Sequence, residues 1–258
     1  MRKLNIGFLM QSGLDIYRNH GPKVHFESVI KEFIKLEHEC RLITLLPGRD
    51  VVEYNPETRA FASKSLGVSG KKWFVLIEGG LRKVQTVFKL PYLGIFDSFR
   101  YFEACNRHLG QCDLFYERYS LMSFGGAMSA KRLNKPFILE VHADILNYEI
   151  PLHGEKLSKF QHFVAEWISK FCFRQTCKIV VVSKEVKRRL QDYWKIPENK
   201  IEVVPLGVDV ELFEQKLRET NFTGVENKKG SPKIKTVFFM GSFLLWHGVD
   251  VLVDSFSY

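Results

Sequence analysis

Glu140 and His142 are the residues whose type and spacing first suggest chemistry in this chain. They lie in the run FILEVHAD, residues 137–144. An aliphatic stretch of that length, opened by Pro136, predicts a buried strand over Phe137–Val141, and a period of two places Ile138, Glu140 and His142 on one side. Parallel strands are covered on both faces, so a carboxylate at the carboxyl end needs a partner or a wet crevice. In open α/β sheets that end is where ligands gather. A carboxylate beside an imidazole can orient a polar substrate by hydrogen bonding or pass a proton. Arg118, at the end of the strand expected over 113–117, is the candidate counter-charge. On residues alone, a loop or helix-capping role for His142 stays open.

Gly21-Pro22-Lys23 is the second candidate. Pro22 suits a first helical turn, where its missing N–H has no partner to lose, and Gly21 lets another group come close to the backbone. An anion fits such a helix start. The helix end contributes only about 0.3–1 kcal/mol toward an anion, whereas micromolar affinity needs about 8 kcal/mol, so Gly21 cannot make a site alone. An ordinary tight turn explains the same residues. There is no G-x-G-x-x-G, which argues against dinucleotide binding.

The elements that must position these residues alternate strand and helix. Leu4–Met10 reads as a buried first strand, followed by a helix over about 22–37 whose Phe26, Val29, Ile30, Phe33 and Ile34 form a 3.6-residue core stripe. Cys40–Leu46 is a second strand, and 49–72 reads as an irregular, turn-rich excursion. In the stretch 71–102 aromatics interleave with basic residues; Tyr92, Ile95, Phe96, Phe99 and Phe102 or Tyr101 mark one face of a short helix. That face is either core or an amphipathic patch that rests on a membrane or encloses a lipid-linked acceptor. A helix over 122–133 follows the 113–117 strand, and its Ser123, Gly125, Gly126 and Ala127 permit close packing. Residues 148–154 read as a loop, and 155–173 as a long helix with Leu157, Phe160, Val164, Trp167, Ile168 and Phe171 inward. The segment 177–213 then gives strand, helix, strand and loop: Lys178–Val182, a helix capped by Ser183, Ile201–Val204, and the break PLGVD. The residues after Phe213 are polar and read as linker, and from Ile234 a strand and a helix begin again. One strand and one helix cannot bury their own apolar faces and need more chain or a partner.

Composition sets the outer bounds. The chain has 258 residues, 45% of them apolar, and a net charge of +9. That length allows one complete core plus a piece of another. No apolar run approaches the ~18 residues of a membrane span, and the opening MRKLNIGFLMQSG is too short in apolar residues for a signal peptide. The five cysteines (Cys40, Cys105, Cys112, Cys172, Cys177) are odd in number with no C-x-x-C pair, which points to reduced thiols and a cytosolic setting. The basic charge fits an anionic membrane surface, where each Lys or Arg contributes roughly 1 kcal/mol. It also fits a phosphorylated small molecule, or a solvated surface without a partner. No nucleic-acid-binding module is present.

Two longer segments carry a resemblance. "VVVSKEVKRRL" with the following "IP.NKIEVVPLGVD...F" resembles the end of the N-terminal domain of the retaining GT-B glycosyltransferases of family 4, with Leu206 where that family usually has Asn. "YERYSLMSFGGAMSAKRLNKPFILEVHAD" is similar to the family's region ending in its "Evna" strand. "VFFMGSFLLWHGVDVLVDSF" resembles the opening of the family's C-terminal, donor-binding domain. Ser242 and His247 stand where many members have Arg and Lys.

The resemblance implies an α/β GT-B fold: a Rossmann-like parallel-sheet N-terminal domain over 1–213, a hinge over 214–233, and an incomplete second Rossmann-like domain from 234 to 258. It implies transfer of a sugar from a nucleotide diphosphate sugar, with retention, to a carbohydrate or lipid-linked acceptor such as a polysaccharide precursor. No metal or other cofactor is expected. His142 and Glu140 become the catalytic candidates, His142 by hydrogen bonding to the transferred sugar. Gly21, Pro22, Lys23, Gly207, Asp209, Gly241, Ser242, His247 and Gly248 become donor-side residues, and Arg118, Tyr119 and Ser183 acceptor-side ones. Front-face departure and attack needs no protein nucleophile, and no Ser-His-Asp arrangement is evident. The family's acidic E-x7-E motif is missing, so the chain reads as a fragment that is inactive alone, placed in the cytoplasm with peripheral contact to the inner membrane face. Two other readings are a non-catalytic acceptor-binding or membrane-surface module, and one half of a split enzyme whose C-terminal half is a separate chain.

Overall fold

The computed structural model describes residues 2–11, 21–46, 50–87, 94–152, 157–219, 237–239, 241 and 247–256. The chain divides into two compact units, Met1–Pro205 and Leu206–Tyr258.

The first unit is built on an eight-stranded sheet. Its strands are β1 (Asn5–Met10), β2 (Glu39–Leu45), β3 (Val51–Asn55), β4 (Ala60–Ser63), β5 (Leu114–Arg118), β6 (Phe137–Val141), β7 (Lys178–Val181) and β8 (Ile201–Val203). They lie in the order β4-β3-β2-β1-β5-β6-β7-β8. From β2 to β8 every neighbouring pair is parallel. Helices α1 (Gly21–Lys35), α2 (Lys72–Val87), α3 (Ile95–His108), α4 (Gly125–Leu133), α5 (Lys159–Gln175) and α6 (Lys184–Asp192) complete it. The fold is thus α/β with a mostly parallel sheet, as the alternation of strands and helices predicts. The chain goes from β1 out to β2 on one side and returns to β5 on the other. The edge between β1 and β5 is therefore a topological switch point, where open sheets of this kind leave a crevice at the strands' carboxyl ends.

The pleat divides the core. Ile6, Phe8 and Met10 of β1, Leu42 of β2 and Tyr116 of β5 face α1, packing on its Phe26 and Ile30. Phe8 meets Phe26 edge-on at 5.6 Å between ring centroids. Leu9, Ile43, Phe115, Phe137, Leu139, Val141, Ile179 and Val181 face the other way, toward the cluster that includes Tyr101, Ala104, Ala127, Ile168 and Leu190. On that side α3 and α4 cross closely: a Cβ on Gly125 would run into the Ser98 carbonyl and stand 3.0 Å from Tyr101 Cβ. The buried Tyr101 hydroxyl donates to the Ile43 carbonyl (2.6 Å) and accepts from the Met10 N–H (2.7 Å). It ties together the carboxyl ends of β1 and β2.

Several local expectations are corrected. Residues 49–72 contain an antiparallel hairpin, β3–β4, added to the edge of the sheet beside β2. All four β4 residues are exposed, so no buried alternation marks it in the sequence. Residues 145–152 form a π-turn and a single helical turn instead of the start of a loop. In α3 the buried line is Ser98, Arg100, Tyr101, Ala104 and Cys105, while Ile95 is exposed; Tyr92 lies outside the described residues. In α5, Phe160 and Trp167 point outward, and Ala165, Ile168, Ser169, Cys172 and Phe173 face in. Small side chains line that helix contact, and apolar spacing alone overlooks them.

In the second unit, the described residues form α7 (Val210–Glu219) and α8 (Val249–Asp254). Helix α7 takes up residues 214–219 of the stretch expected as linker. Of the expected strand after Ile234, residues 237–239 are described and form no strand.

Candidate active site

Glu140 is the next-to-last residue of β6, on the face covered by α1 and two residues beyond Ile138, and only 3% of its side chain is exposed. A carboxylate there must be compensated, and three side chains do so. His142, in the turn after β6, places Nε2 2.8 Å from Oε1. His25, in the second turn of α1, places its Nε2 2.5 Å from the same oxygen. Tyr116 on β5 donates its hydroxyl to Oε2 at 2.9 Å. The two imidazole rings meet edge to face, 5.0 Å between centroids.

Each element places its residue for a local reason. Tyr116 neighbours Ile138 in the β5–β6 ladder, so its ring lies on the α1 side with its hydroxyl toward the carboxyl end. His25 is one turn before Val29, at the margin of the stripe that seats α1 on the sheet. Because α1 follows β1, its first turns stand over the carboxyl edge of the sheet. Nothing in the residue spacing links His25 to Glu140: its place four residues before Val29 sets it beside the core stripe of α1 and says nothing of a partner on β6.

The electrostatics follow from this geometry. Burial by itself pushes the Glu140 carboxyl up, but the hydrogen bonds and charges of His142 and His25 outweigh it and hold the group down at about 2. Burial and the neighbouring Glu140 charge push the Tyr116 phenol up, so it remains a donor. An ionised carboxylate only accepts, so both histidines present Nε2–H to Glu140. In a neutral ring that arrangement fixes the tautomer and leaves Nδ1 as an acceptor for another partner; in a protonated ring Nδ1–H is a second donor. His142 keeps 23% of its side chain exposed and His25 19%. The three ligand atoms of His25, Glu140 and His142 lie within 4.8 Å of one another, so this set could also hold a divalent ion.

The other sequence candidates are distributed as follows. Arg118 is the register partner of Glu140 in the β5–β6 ladder, yet the charges that lower Glu140 are those of the two histidines. Tyr119 faces the opposite side: it is buried, hydrogen-bonds Ser169 Oγ at 2.6 Å and stacks on Phe173. Ser183 caps α6, its Oγ accepting from the Val186 N–H at 3.2 Å. Gly21 opens α1 exposed and with nothing near a would-be Cβ. Lys23 lies 3.9 Å from Glu27, which accepts the Tyr54 hydroxyl. Of Pro22 only its place in α1 is described.

Gly207, Asp209, Gly241, His247 and Gly248 belong to the second unit. Asp209 caps α7 through the Leu212 N–H at 2.9 Å. Gly248, with φ +59°, caps α8, and Ser242 lies outside the described residues.

The glycosyltransferase family 4 domain model matches residues 20–212, a span that includes His25, Tyr116, Glu140 and His142. The chain belongs to this family. Among solved structures it is similar to HepE from Anabaena in complex with UDP, at 15% identity and a TM-score of 0.42. The complex of the same protein with UDP and glucose gives 15% and 0.45. Each alignment covers 84% of this chain and 50% of HepE, so the chain spans about half the length of those proteins. No curated protein matches it at a significant level. Among the described residues, no helix is long and apolar enough to cross a membrane.

Proposed function

We propose that this chain supplies the acceptor-side half of a retaining glycosyltransferase that moves a sugar from a nucleotide diphosphate sugar to a carbohydrate or lipid-linked acceptor. The observation that carries the reading is the convergence of His25 and His142 on the buried Glu140 at the switch point of the sheet, in a chain of glycosyltransferase family 4. Glu140 acts as a positioning residue. By accepting both Nε2–H groups it holds the imidazoles in one orientation, and Nδ1 of the neutral His142 ring accepts from a hydroxyl of the transferred sugar or of the acceptor.

The leaving diphosphate is stabilised by preorganised donors and basic groups rather than by a protein nucleophile. In the first unit those groups are the backbone N–H of Gly21 and the ammonium of Lys23 at the start of α1. A separate or continuing C-terminal half completes the donor site, and the 258-residue chain alone transfers no sugar.

The test compares nucleotide-sugar turnover by this chain alone with turnover after a donor-binding half is joined to it or added to it. The joined protein turns over and the chain alone does not. His142→Ala in the joined protein lowers kcat by about 100-fold or more at a temperature where circular dichroism shows the variant still folded. Full activity of His142→Ala would remove His142 from the reacting centre.

A further inference from the structure

Helix α2 packs with its polarity reversed. At 100° per residue its inward line is Phe74, Glu78 and Arg82. Glu78 is fully buried and is clamped by Arg100, itself 2% exposed, through both guanidinium nitrogens. Arg82 Nε adds a third bond at 2.8 Å and reaches on to Asp97. Phe74 lies under the Arg100 guanidinium at 5.5 Å and stacks on Phe99. Phe74 apart, the described apolar side chains of α2 are outside: Trp73, Val75, Leu76, Ile77, Leu81 and Val84 are 41–73% exposed, Leu76 most of all. Lys72 and Lys83 flank that face, and Lys71 precedes the helix; all three are exposed. The helix's one acidic residue is the buried Glu78, so the outward face carries apolar groups and positive charge and no negative charge.

In water alone this arrangement is unfavourable twice over, because an ion pair is desolvated while aliphatic area is left wet. It becomes favourable where the outer face meets an apolar, negatively charged surface. We propose that the outward face of α2 docks on an anionic lipid bilayer. The helix lies in the interfacial plane, Leu76, Ile77 and Val84 enter the acyl boundary, Trp73 sits at headgroup level, and Lys71, Lys72 and Lys83 meet lipid phosphates. The charge selects this occupant: a second copy packed face to face would bring the same lysines against one another. The inference stands independently of the sugar-transfer reading.

The test is co-sedimentation of the purified chain with phosphatidylcholine vesicles containing or lacking phosphatidylglycerol. The chain binds the anionic vesicles and binds the neutral ones more weakly. Leu76→Glu, at a position exposed enough to leave folding intact by circular dichroism, lowers binding by about tenfold or more. Lys72→Glu and Lys83→Glu each lower it by about fivefold on anionic vesicles. The proposal is overturned if the wild-type chain stays in the supernatant, or if folded Leu76→Glu binds as well as wild type. A dimer in sedimentation analysis that Leu76→Glu dissociates, without vesicle binding, would assign the face to a second copy instead.

Discussion

His25 and His142 share one oxygen of Glu140, the first reaching it from α1 and the second from the turn after β6. The site is therefore closed by a contact between a helix and a strand end that are far apart in the chain. Removing either imidazole, by His25→Ala or His142→Ala, is expected to destabilise the fold by about 1–3 kcal/mol, since a buried charge loses one of its donors. The double variant is expected to cost more than the sum, because the second removal leaves Glu140 with Tyr116 alone. A double-mutant cycle from urea unfolding measures that coupling; strict additivity would mean that the two histidines do not share the carboxylate.

Acid is expected to weaken this contact in a defined window. The Glu140 carboxyl is lowered from its ordinary value of 4.5 to about 2 in the folded chain. Its stabilising contribution is thus complete above 4.5 and is lost as pH falls toward 2, a loss on the order of 3 kcal/mol. Glu140→Gln has no such charge to lose, so its unfolding free energy is expected to be flatter over that window than wild type's. Parallel acid titrations of the two proteins check this.

Glu117 is expected to behave in the opposite sense. It points to the other face of β5, is 3% exposed, and burial raises its carboxyl to about 8. The folded chain then binds a proton that the unfolded chain releases above 4.5. Stability from this group is full below 4.5 and is lost as pH rises toward 8, by roughly 5 kcal/mol. Glu117→Gln, which keeps the shape and cannot ionise, is expected to hold its stability across that range, as chemical denaturation at the two ends would reveal.

Two glycines are expected to respond in opposite directions. A Cβ on Gly126 would collide with the Glu117 carboxyl and stand 2.9 Å from Leu9 Cδ1, so Gly126→Ala is expected to cost about 2–4 kcal/mol. Gly80, inside α2, has nothing within 4 Å of a Cβ and no positive φ. Gly80→Ala is expected to stabilise that helix by about 0.5–1 kcal/mol. Thermal unfolding of the two variants separates these outcomes.

The parallel part of this architecture is written plainly in the sequence because its strands are buried on both faces. The run Phe137–Val141 is both the expected and the observed β6, and the shared side of Ile138, Glu140 and His142 follows from the pleat. The hairpin at β3–β4 could not be read in the same way, because β4 buries nothing and so has no alternation. On α5 Ile168 faces in as expected, with Leu157, Val164 and Phe171 packed beside it, whereas Phe160 and Trp167 are exposed and the small Ala165, Ser169 and Cys172, which apolar spacing does not mark, complete the contact. At the site, Glu140 and His142 were legible from one strand. His25 was not, since its part depends on where α1 begins relative to the edge of the sheet, a distance that no local pattern carries.

The reversed polarity of α2 also inverts the usual reading of substitutions. On this helix a change from leucine to a polar residue at 76 is surface editing, and the fold tolerates it. A change as mild as Glu78→Gln strikes the interior, because it removes the buried countercharge of Arg100 and leaves it only the partly exposed Asp97 at 3.5 Å. A variant survey that ranks sites by hydrophobicity would score this helix backwards: the positions it marked as expendable would be the ones on which folding depends.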